Sequence, residues 1–226
     1  MSSFQKNAKP LLKPLKQIRL KFWLTLTMQV KKVYKLCLIA RLVVSTVNHP
    51  LGGRYQITPT EASVQKLPVQ YGVTTTASVI AQGFNPYIAE WSPYHGAAYA
   101  VIEATARLVA VGANWSKARF SYQEYFERMD KKAERFGQPV SALLGSIEAQ
   151  IQLGLPSIGG KDSMSGTFEE LTVPPTLVAF GVTTADSRKV LSPEFKAAGE
   201  NIYYIPGQAL AQEIDFDLIK SNFAQF

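Results

Sequence analysis

The sequence predicts an α/β (α+β) domain with a sheet packed against helices, and three segments carry that prediction. Gly72–Ala81 is β-branched and short-sided, as a strand requires. Thr176–Thr184 is nearly continuous in apolar residues and bounded by prolines at 174 and 175, which marks a second strand. Between them, Ala97, Val101, Ala104, Leu108 and Val111 recur at helical spacing and predict one buried face of a helix over Ala97–Val111, stopped by Gly112. Pro86 and Pro93 bracket a loop before it. Gln123–Phe136 is charged and predicts a second helix closed by Gly137. Pro139 opens a third, Ser141–Leu153, with Gly154 as its stop. Lys196–Gly199 reads as a turn, and Asn201–Ile205 as a further strand. Antiparallel pairing suits this order, and the chain contains no internal repeat or low-complexity tract.

At 226 residues the chain holds one sizeable domain, or one and a half. The net charge of +7 would suggest a nucleic-acid or anionic-surface partner, but its distribution argues against that. Ten of the 24 Lys and Arg fall within residues 1–50, which hold no Asp or Glu. The remainder carries 14 basic against 17 acidic residues, a net −3. The expected partners are therefore neither nucleic acid nor membrane. The single Cys37 excludes an internal disulfide framework and suits a cytoplasmic setting. Its neighbours Leu36 and Leu38 give it no nucleophile's surroundings. His49 and His95 are too few to build a metal cluster with it.

The most informative run is Gly159-Gly160-Lys161-Asp162-Ser163-Met164-Ser165-Gly166. Paired glycines let backbone N–H groups approach an anion closely. Lys161 can neutralise phosphate oxygens, and Asp162 is a hard oxygen ligand for the cation that accompanies a polyphosphate. A Walker A loop is excluded by count: Leu155 stands where its first glycine belongs, and Asp162 stands where Ser or Thr must follow the lysine. The bland alternative is a glycine turn with Lys161 and Asp162 in solvent.

Longer motifs weigh against the bland alternative. Gly83-Phe84-Asn85-Pro86-Tyr87-Ile88-Ala89-Glu90-Trp91-Ser92-Pro93-Tyr94-His95-Gly96-Ala97-Ala98, the run Arg119–Arg128, Leu155–Gly166 and Val173–Val182 together resemble phosphoribosylformylglycinamidine synthase, from about Ser45 to Phe226. The resemblance is to the large single-chain form, with two halves of the aminoimidazole-ribotide-synthetase type and a glutaminase domain. It covers part of the second half: a first subdomain over 45–190 and the opening of the next over 191–226. The implied fold is a half-barrel sheet packed with helices that completes itself against a related half. The implied chemistry converts formylglycinamide ribotide to its amidine with ATP and ammonia from glutamine. The implied cofactors are Mg²⁺ and ATP or ADP.

By the same resemblance, Gly159, Gly160, Lys161 and Ser163 bind nucleotide, Asp162 ligates Mg²⁺, and Glu103 is a second metal ligand. Family members often place an asparagine four residues after that glutamate. Here Arg107 stands there, so a Glu103–Arg107 ion pair at i,i+4 spacing is the alternative. His95 reads as a hydrogen-bonded histidine at a helix entry, and Met164 as packing. Asn85, Glu90 and Trp91 read as interface residues. Arg119, Tyr122 and Tyr125 fit either interface or core.

The segment before Ser45 departs from the family. It has no uninterrupted apolar run of about 18 residues, so it is no transmembrane helix, and it lacks the layout of a secretory signal. A basic arm for RNA or membrane is one reading, although Pro10 and Pro14 would break a helix there. A shifted reading frame explains more. The family reads Phe-Asp-Ser-Thr-Ile-Gly at this point, and Leu38–Val43 can be encoded by codons that, read one base earlier, spell that run. Residues 1–44 are therefore expected to be non-native in frame or disordered, and the nucleotide sequence decides between these readings. The chain alone is expected to be inactive, because the partner half, the glutaminase domain and the rest of the second subdomain are missing from the sequence given. Its unpaired sheet favours self-pairing. Two rival classes are a nucleotide-binding module without turnover and a basic RNA- or membrane-associated protein. Whether this half's nucleotide site is catalytic or structural stays open.

Overall fold

A six-stranded sheet in the order β1-β4-β5-β10-β6-β7 sets the architecture. Its strands are β1 (Thr46–Asn48), β4 (Ser63–Lys66), β5 (Thr76–Gly83), β6 (Arg119–Tyr125), β7 (Ser157–Ser163) and β10 (Thr176–Asp186). Two small hairpins stand apart, β2 (Leu51–Gly52) with β3 (Thr58–Pro59), and β8 (Thr167–Phe168) with β9 (Leu171–Thr172). The computed structural model describes residues 45–207 and 213–226. The basic segment 1–44, with Cys37, lies outside the described residues. Every pairing in the main sheet is antiparallel except β6 with β7. That parallel pair needs a long crossover, which α3 (Ala133–Leu153) provides.

The strands form where the sequence alternates. In β5, Ala77, Val79 and Ala81 are buried while the residues between them are more open. Leu177, Ala179 and Thr183 do the same in β10. The register aligns Gly83, Ala179, Tyr122 and Gly160 in one row across β5, β10, β6 and β7. Helix α2 (Pro93–Ala110) covers that face with Ala97, Val101, Ala104 and Leu108, all buried as the helical spacing predicts. Its contact with β5 is close enough that a Cβ on Gly83 would lie 2.0 Å from the carbonyl oxygen of Ala100. Phe120, Leu108, Val79 and Val101 are fully buried between sheet and helices.

Four expectations are corrected. The stretch from Pro86 to Pro93 is not a loop. Pro86 opens a short helix, α1 (Pro86–Trp91), whose N-cap Asn85 accepts from the N–H groups of Tyr87 (3.0 Å) and Ile88 (3.2 Å). Pro93 opens α2 behind the cap Ser92. Both prolines occupy the first helical position, where the missing N–H costs nothing. Gln123–Phe136 is not a helix. Its first part belongs to β6, where Phe120, Tyr122 and Glu124 alternate inward, so period two overrides the charge-rich composition. The expected third helix begins earlier, at Ala133, and carries Pro139 inside it. Finally, Asn201–Ile205 forms no strand and pairs with none among the described residues. Ile202, Tyr203 and Tyr204 are 78–85% exposed there, so no partner takes up the backbone bonds of an apolar run. Helix α4 (Phe216–Phe223), capped by Asp215, follows and was not anticipated. Residues Ser45–Phe226 make up one compact unit.

Candidate functional site

The glycine run forms an edge strand rather than a loop. β7 pairs along β6, and between Phe120 and Ser121 the register skips one residue of β7, so Ile158 is left without a partner and 81% exposed. Gly159, at φ 137°, absorbs this bulge in a backbone region that favours glycine. Gly160 is needed for another reason: a Cβ there would lie 2.9 Å from the Tyr122 carbonyl oxygen. As an edge strand among the described residues, β7 has N–H and C=O groups with no strand partner on its outer side.

Gly159, Gly160, Lys161 and Asp162 line a cavity of about 360 Å³ with Tyr122 and Glu124 of β6 and Leu143, Ser146, Ile147 and Gln150 of α3. The Lys161 ammonium donates to the backbone oxygen of Asp162 at 3.3 Å, and among the described residues no ion pair takes up its charge. Ser163 is half-buried at the end of the strand, where its Oγ lies 3.4 Å from Ser165 Oγ. It is outside the cavity lining. Met164 packs against the core.

Glu124 is the site residue that the sequence reading missed. It is buried and stands directly across the β6–β7 ladder from Asp162. Burial pushes its carboxyl up, and the charge of Asp162 adds to the effect. Tyr122 lies two residues earlier on the same face, and burial, then the Glu124 charge, raises its phenol. The signal was available: Phe120, Tyr122, Glu124 and Phe126 alternate, which places a carboxylate on the inner face of a strand.

Glu103 is placed elsewhere. Its Oε2 accepts from the Phe84 N–H at 2.9 Å, and its Oε1 accepts from Arg107 Nη2 at 2.6 Å. Phe84 follows the row containing Gly83 and Gly160, so three strand spacings separate β5 from β7, about 14 Å. Arg107 also reaches Glu61 at 3.7 Å. Among the described residues, no group of three or more His, Cys, Asp and Glu is arranged to hold a metal by itself. His95 is held by Ser92 Oγ at 2.8 Å and lies against the Trp91 and Tyr94 rings. Tyr122 is core, whereas Tyr125 is on the opposite, more open face. A second cavity of about 390 Å³, lined by Tyr94, Glu148, Asp215 and Asp217, contains no glycine strand and no cationic side chain.

Parts of this chain have counterparts in known proteins. No family model matches it. It is 26% identical over 198 residues to the phosphoribosylformylglycinamidine synthase subunit PurL of Pyrococcus furiosus. The chain resembles this synthase. The match takes in 80% of the chain and 27% of the relative, so the chain spans about a quarter of that protein's length. Among solved structures, PurLQS from Thermotoga maritima superposes with a TM-score of 0.54 at 19% identity, over 66% of this chain and 23% of that one. T. maritima PurL complexed with FGAR gives 0.54 at 20% identity, over 67% and 22%. The same protein complexed with AMPPCP gives 0.53 at 19%, over 67% and 23%. These likenesses establish the fold as the helix-covered sheet found in PurL. No helix among the described residues is long and apolar enough to cross a membrane.

Proposed function

We propose that this chain is part of the second synthetase half of a large phosphoribosylformylglycinamidine synthase, and that its cavity beside β7 binds the nucleotide. One observation carries this reading: Gly159-Gly160-Lys161-Asp162, the core of the motif shared with the synthase, lines a cavity on an edge strand. Gly159 and Gly160 let phosphate oxygens approach the outer backbone N–H groups of β7. Lys161 supplies a point charge to them. Ser163 adds a hydroxyl at the end of the strand. Asp162 offers a carboxylate to Mg²⁺, and the resemblance carries Glu103 as a second candidate. The donor set fits the group, because Mg²⁺ is held by one or two carboxylates and completes its shell with waters and phosphate oxygens. When bound, Mg²⁺ would neutralise the polyphosphate charge.

In the complete enzyme, the reaction would be the ATP- and glutamine-dependent conversion of formylglycinamide ribotide to its amidine. The chain's own residues contribute positioning and charge stabilisation. The units proposed are 45–190 for the first subdomain and 191–226 for the start of the next, with residues 1–44 read in a shifted frame. The partner half and a glutaminase domain would complete the enzyme, and the chain alone would lack turnover. The second reading is a nucleotide held for stability and never turned over.

The test compares thermal stabilisation by ATP–Mg²⁺ in the parent and in Asp162→Ala. A ligand stabilises only through native-state binding, at about 2.7 kcal/mol when present at 100 times its Kd, so loss of affinity removes the shift. An equal shift in both proteins rejects the site. An ammonia-dependent assay with formylglycinamide ribotide tests turnover, and amidine formed above a no-protein control would reject the expected inactivity.

A further inference from the structure

We propose that the segment Asn201–Ile205 of one copy of this chain adds as an antiparallel strand to the free edge of β7 in a second copy, with Tyr203 seated against α3. The proposal stands apart from the nucleotide reading.

The structure holds two unpaired parts of a sheet. β7 ends the six-stranded sheet and has no strand on its outer side among the described residues. Asn201–Ile205 has the composition of a strand, yet among the described residues no backbone hydrogen bond reaches it. Its Ile202, Tyr203 and Tyr204 are 78–85% exposed. A free edge beside a helix takes an extended segment through main-chain hydrogen bonds, and pockets for alternate side chains decide which segment fits. Here the cavity of about 360 Å³ adjoins another of about 460 Å³, and the two share Ile147, Gln150 and Ser157. Together they form a groove between α3 and β7. Leu143, Ile147 and Ile151 of its helical wall are 42–69% exposed.

Charge sets the direction of the added strand. Lys161 of β7 and the exposed Glu200 that precedes the segment are both outside any ion pair among the described residues. Antiparallel pairing with Tyr203 at Gly160 puts Glu200 diagonally across from Lys161, on the same face of the pleat. Parallel pairing with Tyr203 at Gly160 would put Glu200 at Ser157, four residues from Lys161. With the antiparallel choice, period two places Tyr203 on the face of Gly160, which the register aligns with buried Tyr122 on the α3 side. Gly160 offers no side chain there, and a cross-strand aromatic ring shields such an edge glycine. Donor segment and acceptor edge are different surfaces, so each copy can give and receive. A reciprocal exchange closes a two-fold dimer, and a one-way exchange runs on to larger species. The added strand takes the outer N–H groups of β7 that the proposed phosphate contacts would use, so strand and nucleotide exclude each other there.

The test is sedimentation velocity on the full 226-residue chain without nucleotide, over a range of concentrations, with far-UV circular dichroism and Tm for each variant. The parent should form species larger than the monomer. Tyr203→Pro, which removes an N–H that a strand needs, should weaken association at least tenfold with Tm unchanged, because Tyr203 is 84% exposed in the single copy. Phe195→Asp, at an equally exposed aromatic residue outside the segment, should associate as the parent does. Lys161→Glu and Glu200→Lys should each weaken association about threefold, and the double variant should return to within twofold of the parent. A parent that stays monomeric, or a folded Tyr203→Pro protein that associates as the parent does, overturns the proposal. Equal loss in Phe195→Asp overturns it too, since general stickiness then explains the association. A double charge variant weaker than either single one overturns the antiparallel alignment.

Discussion

Gly145→Ala tests how α3 is seated and, through it, how the cavity is shaped. Gly145 is buried where α3 crosses the first turn of α2, and a Cβ there would lie 1.9 Å from the Tyr94 carbonyl oxygen and 2.9 Å from its Cα. Ordinary contact begins near 3.4 Å, so helix or backbone must yield by about 1.5 Å. Neither obstructing atom is the end of a flexible side chain. Overpacking of this kind costs about 3 kcal/mol, and the helix propensity of alanine over glycine returns about 1 kcal/mol, leaving a net loss of about 2 kcal/mol. For a domain of this size that is a fall in Tm of about 4–8 °C. Gly137 provides the control: it lies in the same helix, and a Cβ there meets nothing within 4 Å. Gly137→Ala should therefore raise stability by about 0.5–1 kcal/mol. The assay is urea unfolding followed by circular dichroism, with m values compared. The same shift of α3 would displace Leu143, Ser146, Ile147 and Gln150 from the cavity wall, so nucleotide-dependent stabilisation should fall as well. A Gly145→Ala protein as stable as the parent would refute the close approach of the two helices.

Phe120→Ala, at a fully buried position, should cost about 3–5 kcal/mol in urea unfolding, whereas Ile158→Ala, at 81% exposure, should stay within about 0.5 kcal/mol. The hydrogen bonds from Arg188, with its charge, hold the Asp186 carboxyl down at about 2. A depressed folded-state pKa contributes stability above the unfolded value of 3.8 that is lost as pH falls through about 2, so Arg188→Ala, which removes the guanidinium but keeps the backbone N–H donor, should move the Asp186 titration, followed by carboxyl NMR, upward part of the way to the ordinary aspartate range. Because the pair is exposed and screened by salt, global stability at neutral pH should barely change. The chain should also self-associate, since β7 is an edge and Leu144, Ile147 and Ile151 are 46–69% exposed along α3; light scattering that shows a monomer at all concentrations would count against this.

Local patterning settled much of the fold in advance. The face of α2 was legible because Ala97, Val101, Ala104 and Leu108 repeat at the helical period and nothing interrupts them. β10 was legible because it is central, with Thr176–Val182 apolar but for its first residue and most of it buried or half-buried. Proline and glycine were legible as punctuation but ambiguous in role: Pro86 opens a helix, and Gly137 continues one. The helix expected over Gln123–Phe136 failed because charged residues such as Glu124 masked the end of an alternating strand, in which Arg119 faces out and Glu124 in.

The sequence by itself determined the residue chemistry of the candidate site, since Gly159-Gly160-Lys161-Asp162 is contiguous and its elements act through backbone approach, cation and carboxylate. It also fixed the uneven charge, which is a property of order along the chain. The tertiary structure alone decided which carboxylate faces Asp162. Glu103 is an obvious candidate by motif, but it is 59 residues away in sequence and about three strands away in the sheet. Glu124 comes into line only because α3 returns the chain parallel to β6 and a bulge at Gly159 sets the register. A one-residue change in that register would turn the facing side chain to the other side of the sheet, and no local pattern in the sequence specifies it.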